Sequence, residues 1–445
     1  MPRLRAVYRL VPLGLAAALA CAEPTAGPEG PSFANAAGPT VTSTQPLEAP
    51  RDTTLDVQVN GSGFDNGSKA SFELNGVLDS RVRVNSTRYV KPTQVVANVT
   101  IAADAVTDKY DVVVVTSTAK KGIGTDLFTV LLAGTMSIPG LTDPEAWDVN
   151  SSGVAVGGGS SGLSCSSGGF TWSRASGGFV LPAPVGWCNA SPRVVNDAGL
   201  MAGTVSTAAG VSSFQVVRWT PNGPGTWRLD VLPRPASNLV LLTVHGVTQA
   251  GSIVSAWKNP DGTWDSWVWR DAAGWQLLAK PSGATWCSTE AMNEAEQVTG
   301  FCNGAGGSAT YWASPTSSAF RLPPLAGGLS NKASAINNLG VIVGSSGVGG
   351  VVHAQRWRPD GSGGWIVEDL NALGNAIGVN NDGAIVGVNN GVAFYIPAGG
   401  VPATLDPVST AFVAIGNRTT DGITWIVGWG PAAPQGGYRA LWWKK

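Results

Sequence analysis

The hydrophobic pattern of the last three hundred residues is periodic. The clearest unit is ASAINNLGVIVG at 333–344, in which a short apolar run ends at Asn337 and a second one ends at Gly344. Related units lie at 146–157, 192–203, 244–255, 289–300, 376–387 and, in degenerate form, 419–428. Their last residues are 41 to 52 positions apart, which is close to the period of a four-stranded propeller blade. The pattern therefore predicts a seven-bladed β-propeller over residues 133–445.

Each unit can be divided into four strands. Asn337 and Gly340 occupy the first and fourth positions of a type I turn, which joins the first two strands. A third strand ends on Trp357, and the fourth is predicted at Trp365–Leu370 after another turn. Equivalent third-strand positions hold Trp172, Trp219, Trp269, Trp312, Trp443 and, in the sixth copy, Ile396. We favour packing between blades for these rings, and a ring of aromatic ligand sites is the alternative.

The seventh copy stops after its third strand, at RALWWKK. The segment Thr135–Leu141, just before the first copy, matches fourth strands such as AFRLPPL at 319–325. We therefore expect this N-terminal strand to complete the seventh blade and close the ring.

Residues 39–132 show a different pattern, with β-branched or aromatic residues at every second position. Gly, Asn, Asp and Pro separate the runs, as is typical of strands joined by turns. Six strands are predicted, at 56–64, 70–74, 81–84, 94–101, 110–115 and 126–131. Short strands at this density predict an immunoglobulin-like sandwich. The fold class is thus all-β, a sandwich followed by a propeller.

The N-terminus has the pattern of an exported protein. Three arginines precede an apolar run from about Leu10 to Ala20, which is too short to span a bilayer as a stable helix, so 1–21 is predicted to be a signal peptide. Small residues directly before Cys21 resemble a bacterial lipobox, and the resemblance implies that Cys21 is lipidated. Ordinary cleavage after Ala20 is the alternative. Residues 22–38 are Pro, Gly, Ala and Glu with little to bury, which predicts a disordered tether.

Composition narrows the possible partners. The chain has 445 residues, 59 of them glycine and 29 proline, and only 13% are charged, with a net charge of −1. This composition favours an all-β protein with many turns. The charges are scattered, so nucleic acid is excluded as a partner.

Four cysteines remain besides Cys21, and an even number in an exported protein favours disulfides. Second-to-third-strand loops and blade connectors open on the same face of a propeller, and all four cysteines lie in or beside such segments. We expect the pairs Cys165–Cys188 and Cys287–Cys302, although three connectivities are formally possible.

Two tryptophans, Trp187 and Trp286, directly precede cysteines on that face. They are candidate ligand-binding residues, since exposed aromatic rings in loops held by a disulfide can stack on a sugar or contact a protein. In the alternative interpretation each indole only covers its disulfide.

No catalytic motif, metal-binding motif or cofactor motif is present. His353 recurs with the repeat pattern and is expected to be structural, and His245 is isolated in a degenerate copy. The sequence therefore predicts no catalytic residue, no metal and no cofactor. A carboxylate pair assembled from different blades would escape a motif search and stays open.

Two family resemblances follow from these residues. The motif from Val57 to Ser68, with Tyr110-Asp111-Val112 and Phe128, resembles the IPT/TIG domain, which implies a spacer or interaction module. The units at about 135–445 resemble HAF extracellular repeats through Ala335-Ile336-Asn337, Gly340, Gly344, His353-Ala354, Trp357 and Asp369-Leu370. The third copy departs from the HAF pattern at Thr248 and Ser255, and the seventh copy also departs from it. This second resemblance implies a β-propeller in a bacterial surface or secreted setting and no settled activity.

Three hypotheses for function remain. The first is a non-enzymatic recognition or adhesion protein of the cell surface or outer membrane, monomeric and held to the membrane only by its lipid, whose propeller binds glycan or protein. The second is a structural or assembly component of the envelope, and the third is a polysaccharide hydrolase or lyase. A secreted or periplasmic location is the alternative to surface display.

Overall fold

The computed structural model describes residues 38–445 except 52, 103, 132, 162–164, 166, 208–213, 305–306, 407–409, 411, 421 and 432–436. The predicted signal peptide with Cys21, and the predicted tether up to residue 37, lie outside the described residues. Every regular element in the described part is a strand, so the all-β prediction is confirmed. Among these residues no helix is long and apolar enough to cross a membrane.

Nine strands form the first part of the chain: β1 (Thr40–Gln45), β2 (Glu48–Pro50), β3 (Thr53–Ser62), β4 (Lys69–Leu74), β5 (Val77–Leu78), β6 (Val82–Lys91), β7 (Gln94–Ile101), β8 (Lys109–Val115) and β9 (Lys121–Leu131). One sheet has the order β1-β3-β7-β6 and the other β2-β9-β8-β4-β5. Alternate residues of both sheets share one core, which includes the fully buried rings of Phe72, Tyr110 and Phe128. Alternation along the strands thus produces two sheets packed face to face.

The remaining 28 strands form seven four-stranded sheets in the described residues. Their bounds are β10 (Gly134–Thr135), β11 (Thr142–Val149), β12 (Ala155–Ser160), β13 (Ser167–Ser173), β14 (Gly177–Val180), β15 (Cys188–Val195), β16 (Met201–Ser206), β17 (Gln215–Pro221), β18 (Trp227–Val231), β19 (Val240–Val247), β20 (Ile253–Lys258), β21 (Trp264–Arg270), β22 (Gly274–Leu277), β23 (Cys287–Met292), β24 (Val298–Cys302), β25 (Ser308–Trp312), β26 (Ala319–Arg321), β27 (Gly328–Ile336), β28 (Ile342–Val348), β29 (Val351–Pro359), β30 (Trp365–Leu373), β31 (Asn375–Val379), β32 (Ile385–Asn389), β33 (Val392–Ile396), β34 (Ala403–Asp406), β35 (Phe412–Ile415), β36 (Trp425–Pro431) and β37 (Tyr438–Lys444). Six sheets consist of four consecutive antiparallel strands, and each corresponds to one repeat. The arrangement is propeller-like.

The seventh sheet combines both ends of this region, in the order β10-β37-β36-β35. Gly134 pairs with Trp442 in β37, and the Met136 N–H donates to the Ala440 carbonyl at 3.0 Å. The N-terminal strand is shorter than predicted. The chain turns at Pro139–Gly140, where the Leu141 N–H donates to the Ile138 carbonyl. In addition, β11 of the first sheet contacts β35, β36 and β37 of the last.

A bulge recurs at one position of the first strand in six of the seven sheets. In β11, Ala146 pairs with Gly157 and Asp148 with Val156, which leaves Trp147 without a partner residue in β12. The residues at this position are Trp147, Arg193, His245, Glu290, Ser334 and Ile377, hereafter the bulge residues. A bulge redirects a side chain out of the regular alternation, and here it does so at the second residue of each repeat unit.

Six of the seven units end in a glycine that lies close to the first strand of its sheet. A Cβ added at Gly344 would lie 1.9 Å from the Lys332 carbonyl oxygen. A Cβ added to the equivalent glycine of other copies would lie 2.0 to 2.4 Å from a carbonyl oxygen of the first strand. These glycines are Gly157, Gly203, Gly300, Gly387 and Gly428. Glycine is therefore favoured at this position, which Ser255 occupies in the third copy, because the backbone of the first strand lies close to the second.

The asparagine of each unit joins neighbouring sheets. The Asn337 side-chain carbonyl accepts from the Val341 N–H at 2.9 Å, and its amide donates to the Asn380 carbonyl of the next sheet at 2.8 Å. The same bridge to the next sheet is made by Asn150, Asn196, Asn293 and Asn380. A side chain with both a donor and an acceptor is needed for this double role.

The third-strand tryptophans pack between sheets. The indole N–H groups of Trp219, Trp312 and Trp357 each donate to a carbonyl in the segment after the preceding sheet's fourth strand. All three rings are fully buried, as expected of packing residues. The third copy differs, because its fully buried indole is Trp257 on the second strand and Trp269 is only half-buried.

Candidate functional site: a channel lined by the bulge residues

The first strands of all seven sheets surround a central channel. Its wide part has a volume of about 570 Å³ and is lined by residues from β11, β15, β19, β23, β27, β31 and β35. All six bulge residues line this part. The conserved geometry of the sheets therefore holds a variable set of side chains around one cavity, which is the arrangement of a binding site.

Arg193 and Trp147, from neighbouring sheets, form one wall. The guanidinium carbon of Arg193 lies 3.9 Å from the centroid of the Trp147 ring. The Trp147 indole N–H donates to a Glu145 carboxylate oxygen at 3.3 Å. Burial lowers the pKa of Arg193, and the charge of Glu145 opposes that shift. An arginine starts from so high a pKa that it stays protonated here, so the wall carries a fixed positive charge.

An ion pair lies elsewhere on the lining. Lys332 Nζ is 3.1 Å from Glu290 Oε1, and about half of the lysine side chain is exposed. Burial raises the pKa of Glu290, while Lys332 opposes the rise. This pair leaves little net charge, because each group compensates the other.

Two titratable groups, Asp148 and His245, lie where the wide part meets a narrower one. Burial raises the pKa of Asp148 to about 7, although its carboxylate accepts from the backbone N–H groups of Val195 and Val149. Burial, with the charges of Lys332 and Arg193, lowers the pKa of His245 to about 4. The imidazole is therefore neutral at pH 7, and Asp148 titrates near it.

The narrow part, about 190 Å³, ends at the turns between first and second strands. One side chain near the start of each turn in copies two to seven accepts a hydrogen bond from a backbone N–H of the preceding copy. These side chains are Asp197, Gln249, Glu294, Asn338, Asn381 and Asn417. The Asn417 amide also reaches Asp197 at 3.4 Å. These hydrogen bonds occupy the polar groups at this end, so the wide end is the better entrance for a ligand.

The two titratable groups at the junction predict opposite pH effects on stability. Asp148 has a raised pKa in the folded state, so its contribution to stability is lost as pH rises from about 4 to about 7. His245 has a lowered pKa, so its contribution is lost as pH falls from about 6.5 to about 4. Asp148→Asn should therefore destabilise the protein less at pH 7.5 than at pH 4.5, and His245→Gln should show the reverse. The difference for Asp148 between these two pH values is on the order of 3 kcal/mol, measurable by urea denaturation. Parallel pH profiles for the two variants and the parent chain would contradict this prediction.

Both expected disulfide pairs are present in the structure. Cys165–Cys188 joins the loop after β12 to the first residue of β15, and Cys287–Cys302 joins paired residues of β23 and β24. Both bonds lie on the face where the first strands begin, which is also the face of the wide end of the channel.

The tryptophans predicted to bind a ligand are partly buried and lie apart from each other. Trp187 packs against the core of the second sheet. Trp286 contacts the rings of Trp264 and Phe301, with centroids 5.0 and 5.7 Å away. Neither tryptophan is among the residues that line the channel. Packing accounts for the described contacts of both rings, and their role in binding stays a hypothesis.

Sequence reasoning missed the bulge residues. When the units are aligned, the second position is the one place in the first strand that holds Trp, Arg, His and Glu in different copies, and this variation was the available signal. His245, interpreted as an isolated histidine, belongs to this set. His353 does not, because its Nδ1 pairs with Asp369 at 3.0 Å between β29 and β30. No group of His, Cys, Asp and Glu in the described part of the chain could hold a metal ion.

The chain matches no family model and no curated protein. Among solved structures it is similar to AofleA from Arthrobotrys oligospora, with 10% identity and a TM-score of 0.36 over 68% of this chain and 83% of that one. It is also similar to an acylaminoacyl peptidase from Pyrococcus horikoshii, with 8% identity and a TM-score of 0.37 over 88% of this chain and 58% of that one. An intramolecular trans-sialidase from Ruminococcus gnavus gives 10% identity and a TM-score of 0.25 over 92% and 77%. At such low values these similarities carry no argument about what this chain binds.

Proposed function

We propose that this chain is a non-enzymatic bacterial recognition or adhesion protein whose propeller binds glycan or protein at the cell surface. In this proposal residues 133–445 form a closed seven-bladed β-propeller, and residues 39–132 form an immunoglobulin-like, IPT/TIG-like sandwich that acts as a spacer. The seven four-stranded sheets and the contact of β11 with the last sheet support the closed ring.

One observation supports recognition above the other functions. Glycine ends six of the seven units, and asparagine bridges five pairs of neighbouring sheets, whereas the bulge residues differ in charge, size and polarity. Variation is thus concentrated on the side chains that face the cavity. A purely structural envelope component has no use for a cavity lined by buried charged groups, since such groups lower stability unless something compensates them.

The test is a binding panel of surface glycans and surface proteins, with two matched variants. Ser334→Trp places an indole at a bulge position and should fill the channel, so binding should be lost. Ser362→Trp adds the same indole in an exposed turn and should bind like the parent chain. Trp187→Ala and Trp286→Ala test the alternative site beside the disulfides. If these two variants lose binding and Ser334→Trp keeps it, the channel is not the site.

The same panel distinguishes the enzymatic alternative. The proposal expects no turnover of any glycan that binds. Hydrolysis or elimination that disappears in Glu145→Gln or Glu290→Gln would show that carboxylates from different sheets form an active site, and would overturn the non-enzymatic assignment.

Surface location is also part of the proposal, with Cys21 as the lipid-bearing residue. Cys21→Ala should shift the protein from the membrane fraction to the soluble fraction, because a lipid anchor depends on buried acyl chains. Metabolic labelling with a fatty acid analogue provides the measurement. Equal membrane retention of the variant and the parent chain would contradict the anchor.

A further inference from the structure

Arg193 and Lys332 are the two basic side chains of the channel lining, and in the described part of the chain Lys332 pairs with Glu290 whereas Arg193 makes no ion pair. The guanidinium carbon of Arg193 lies over the Trp147 ring, 3.9 Å from the centroid, and its buried Nε has no hydrogen-bond partner among the described residues. No hydrogen bond of the terminal nitrogens occurs within the described part of the chain either. A buried nitrogen without a partner costs stability, and the terminal nitrogens at the cavity wall are placed to donate to a partner from outside the chain.

The nearby carboxylates do not fill this role. Glu145 accepts the indole N–H of Trp147, and it influences Arg193 without forming an ion pair with it. Glu290 is paired with Lys332. Asp148 accepts two backbone N–H groups. The acidic groups of the lining are therefore engaged, and the terminal nitrogens of Arg193 remain as donors at the cavity wall.

We propose that Arg193 binds the carboxylate of an acidic saccharide in the wide part of the channel. This inference rests on the proposed recognition function and names its ligand class. The planar guanidinium can donate two parallel hydrogen bonds to a carboxylate, and its contact with the Trp147 ring holds it at the cavity wall. The positive charge then has the partner that the chain itself does not supply.

The cavity favours a saccharide over a protein surface. Its volume of about 570 Å³ lies within the range of small-molecule pockets, about 300–1,000 Å³. The hydroxyls of Thr243 and Ser334 and the Glu290 carboxylate line it together with the rings of Phe412 and Trp429. Hydroxyl and carboxylate groups can hydrogen-bond sugar hydroxyls, and aromatic rings can cover apolar sugar faces.

The experiment measures calorimetric binding of the full chain to disaccharide pairs that differ by one carboxylate. The pairs end in glucuronic acid or glucose, galacturonic acid or galactose, and mannuronic acid or mannose. For at least one pair we expect the acidic sugar to bind about 10-fold or more tightly than the neutral one. Arg193→Gln should remove that preference, and Arg193→Lys should keep part of it, because lysine retains the charge without the paired donors.

Arg174→Gln is the matched control, since Arg174 also stacks on an indole, that of Trp442, but lies outside the channel lining. It should bind like the parent chain. Melting temperatures of all variants separate lost binding from lost folding.

The inference is overturned if no acidic sugar is preferred, if the preference survives Arg193→Gln, or if a glutamate-rich peptide binds through Arg193 in place of the sugars. If neutral sugars bind and only Ser334→Trp abolishes that binding, the recognition function stands without the acidic ligand. If no glycan or protein of the binding panel under the proposed function binds, both proposals are overturned.

Discussion

Replacing Gly344 with alanine should destabilise the protein by about 4 kcal/mol or more, or prevent folding, although it adds a single methyl group. The new Cβ would lie 1.9 Å from the Lys332 carbonyl oxygen and 3.0 Å from the Ala333 Cα. Both are backbone atoms, so no side-chain movement can relieve the overlap. Relief would require β27 and β28 to separate where Ala333 pairs with Gly344.

Gly347 provides the control, because it lies three positions further along the same strand. A Cβ there would meet only the Ser330 hydroxyl oxygen at 3.5 Å, which is an ordinary contact. Gly347→Ala should be neutral or should stabilise by about 0.5 kcal/mol through reduced freedom of the unfolded chain. Urea denaturation of both variants gives the comparison. Similar free energies of unfolding for the two would show that the close approach at the bulge is not a constraint.

Removal of the N-terminal strand should have the second large effect. A chain that begins at residue 133 keeps β10, whereas a chain that begins at residue 143 loses it. The shorter chain also loses Met136 and Ile138, which are buried beside Trp442 and Trp172. Burial of two such side chains contributes about 3–6 kcal/mol, and the unpaired edge of β37 would favour association.

Thermal denaturation and light scattering of these two shortened chains measure the effect. We expect the chain from 133 to melt near the parent chain and to stay monomeric. The chain from 143 should melt at a lower temperature and aggregate, although it lacks only ten further residues. Equal behaviour of the two would mean that the last sheet does not depend on β10, and would contradict the proposed ring closure.

The sequence predicted those parts of the fold that recur. Asn337, Gly344 and Trp357 are recognisable because each role returns in other copies at a fixed spacing, and a regular sheet needs the same residue at the same place. The period therefore predicted four strands per copy, the turn, and the buried third-strand ring. It also placed the cysteines close enough to pair.

The candidate site was harder to predict because the bulge breaks the alternation on which strand prediction depends. In a regular strand Arg193 and Val194 point to opposite faces, and the charged residue would be assigned to solvent. The extra residue in β15 turns Arg193 toward the channel instead. Its stacking on Trp147 and its lack of an ion pair depend on a neighbouring sheet, which no local pattern describes. Repeat positions that keep the same residue thus predict the fold, whereas the residues of the candidate binding site occupy positions that vary between copies.

The asparagine bridges divide the repeats into two groups. Amide bridges connect the first copy to the second and the second to the third, and they connect the fourth through to the seventh. The third copy has Thr248 instead of the bridging asparagine. Its links to the fourth copy are the Gln249 N–H, which donates to Glu294, the Ser252 hydroxyl, which donates to Glu296, and the Ala279 carbonyl, which accepts from the Trp312 indole. The seventh copy has Gly416 at this position. The amide bridges therefore form two uninterrupted series, copies one to three and copies four to seven. Amide hydrogen exchange should be faster at the two seams without a bridge than within each series.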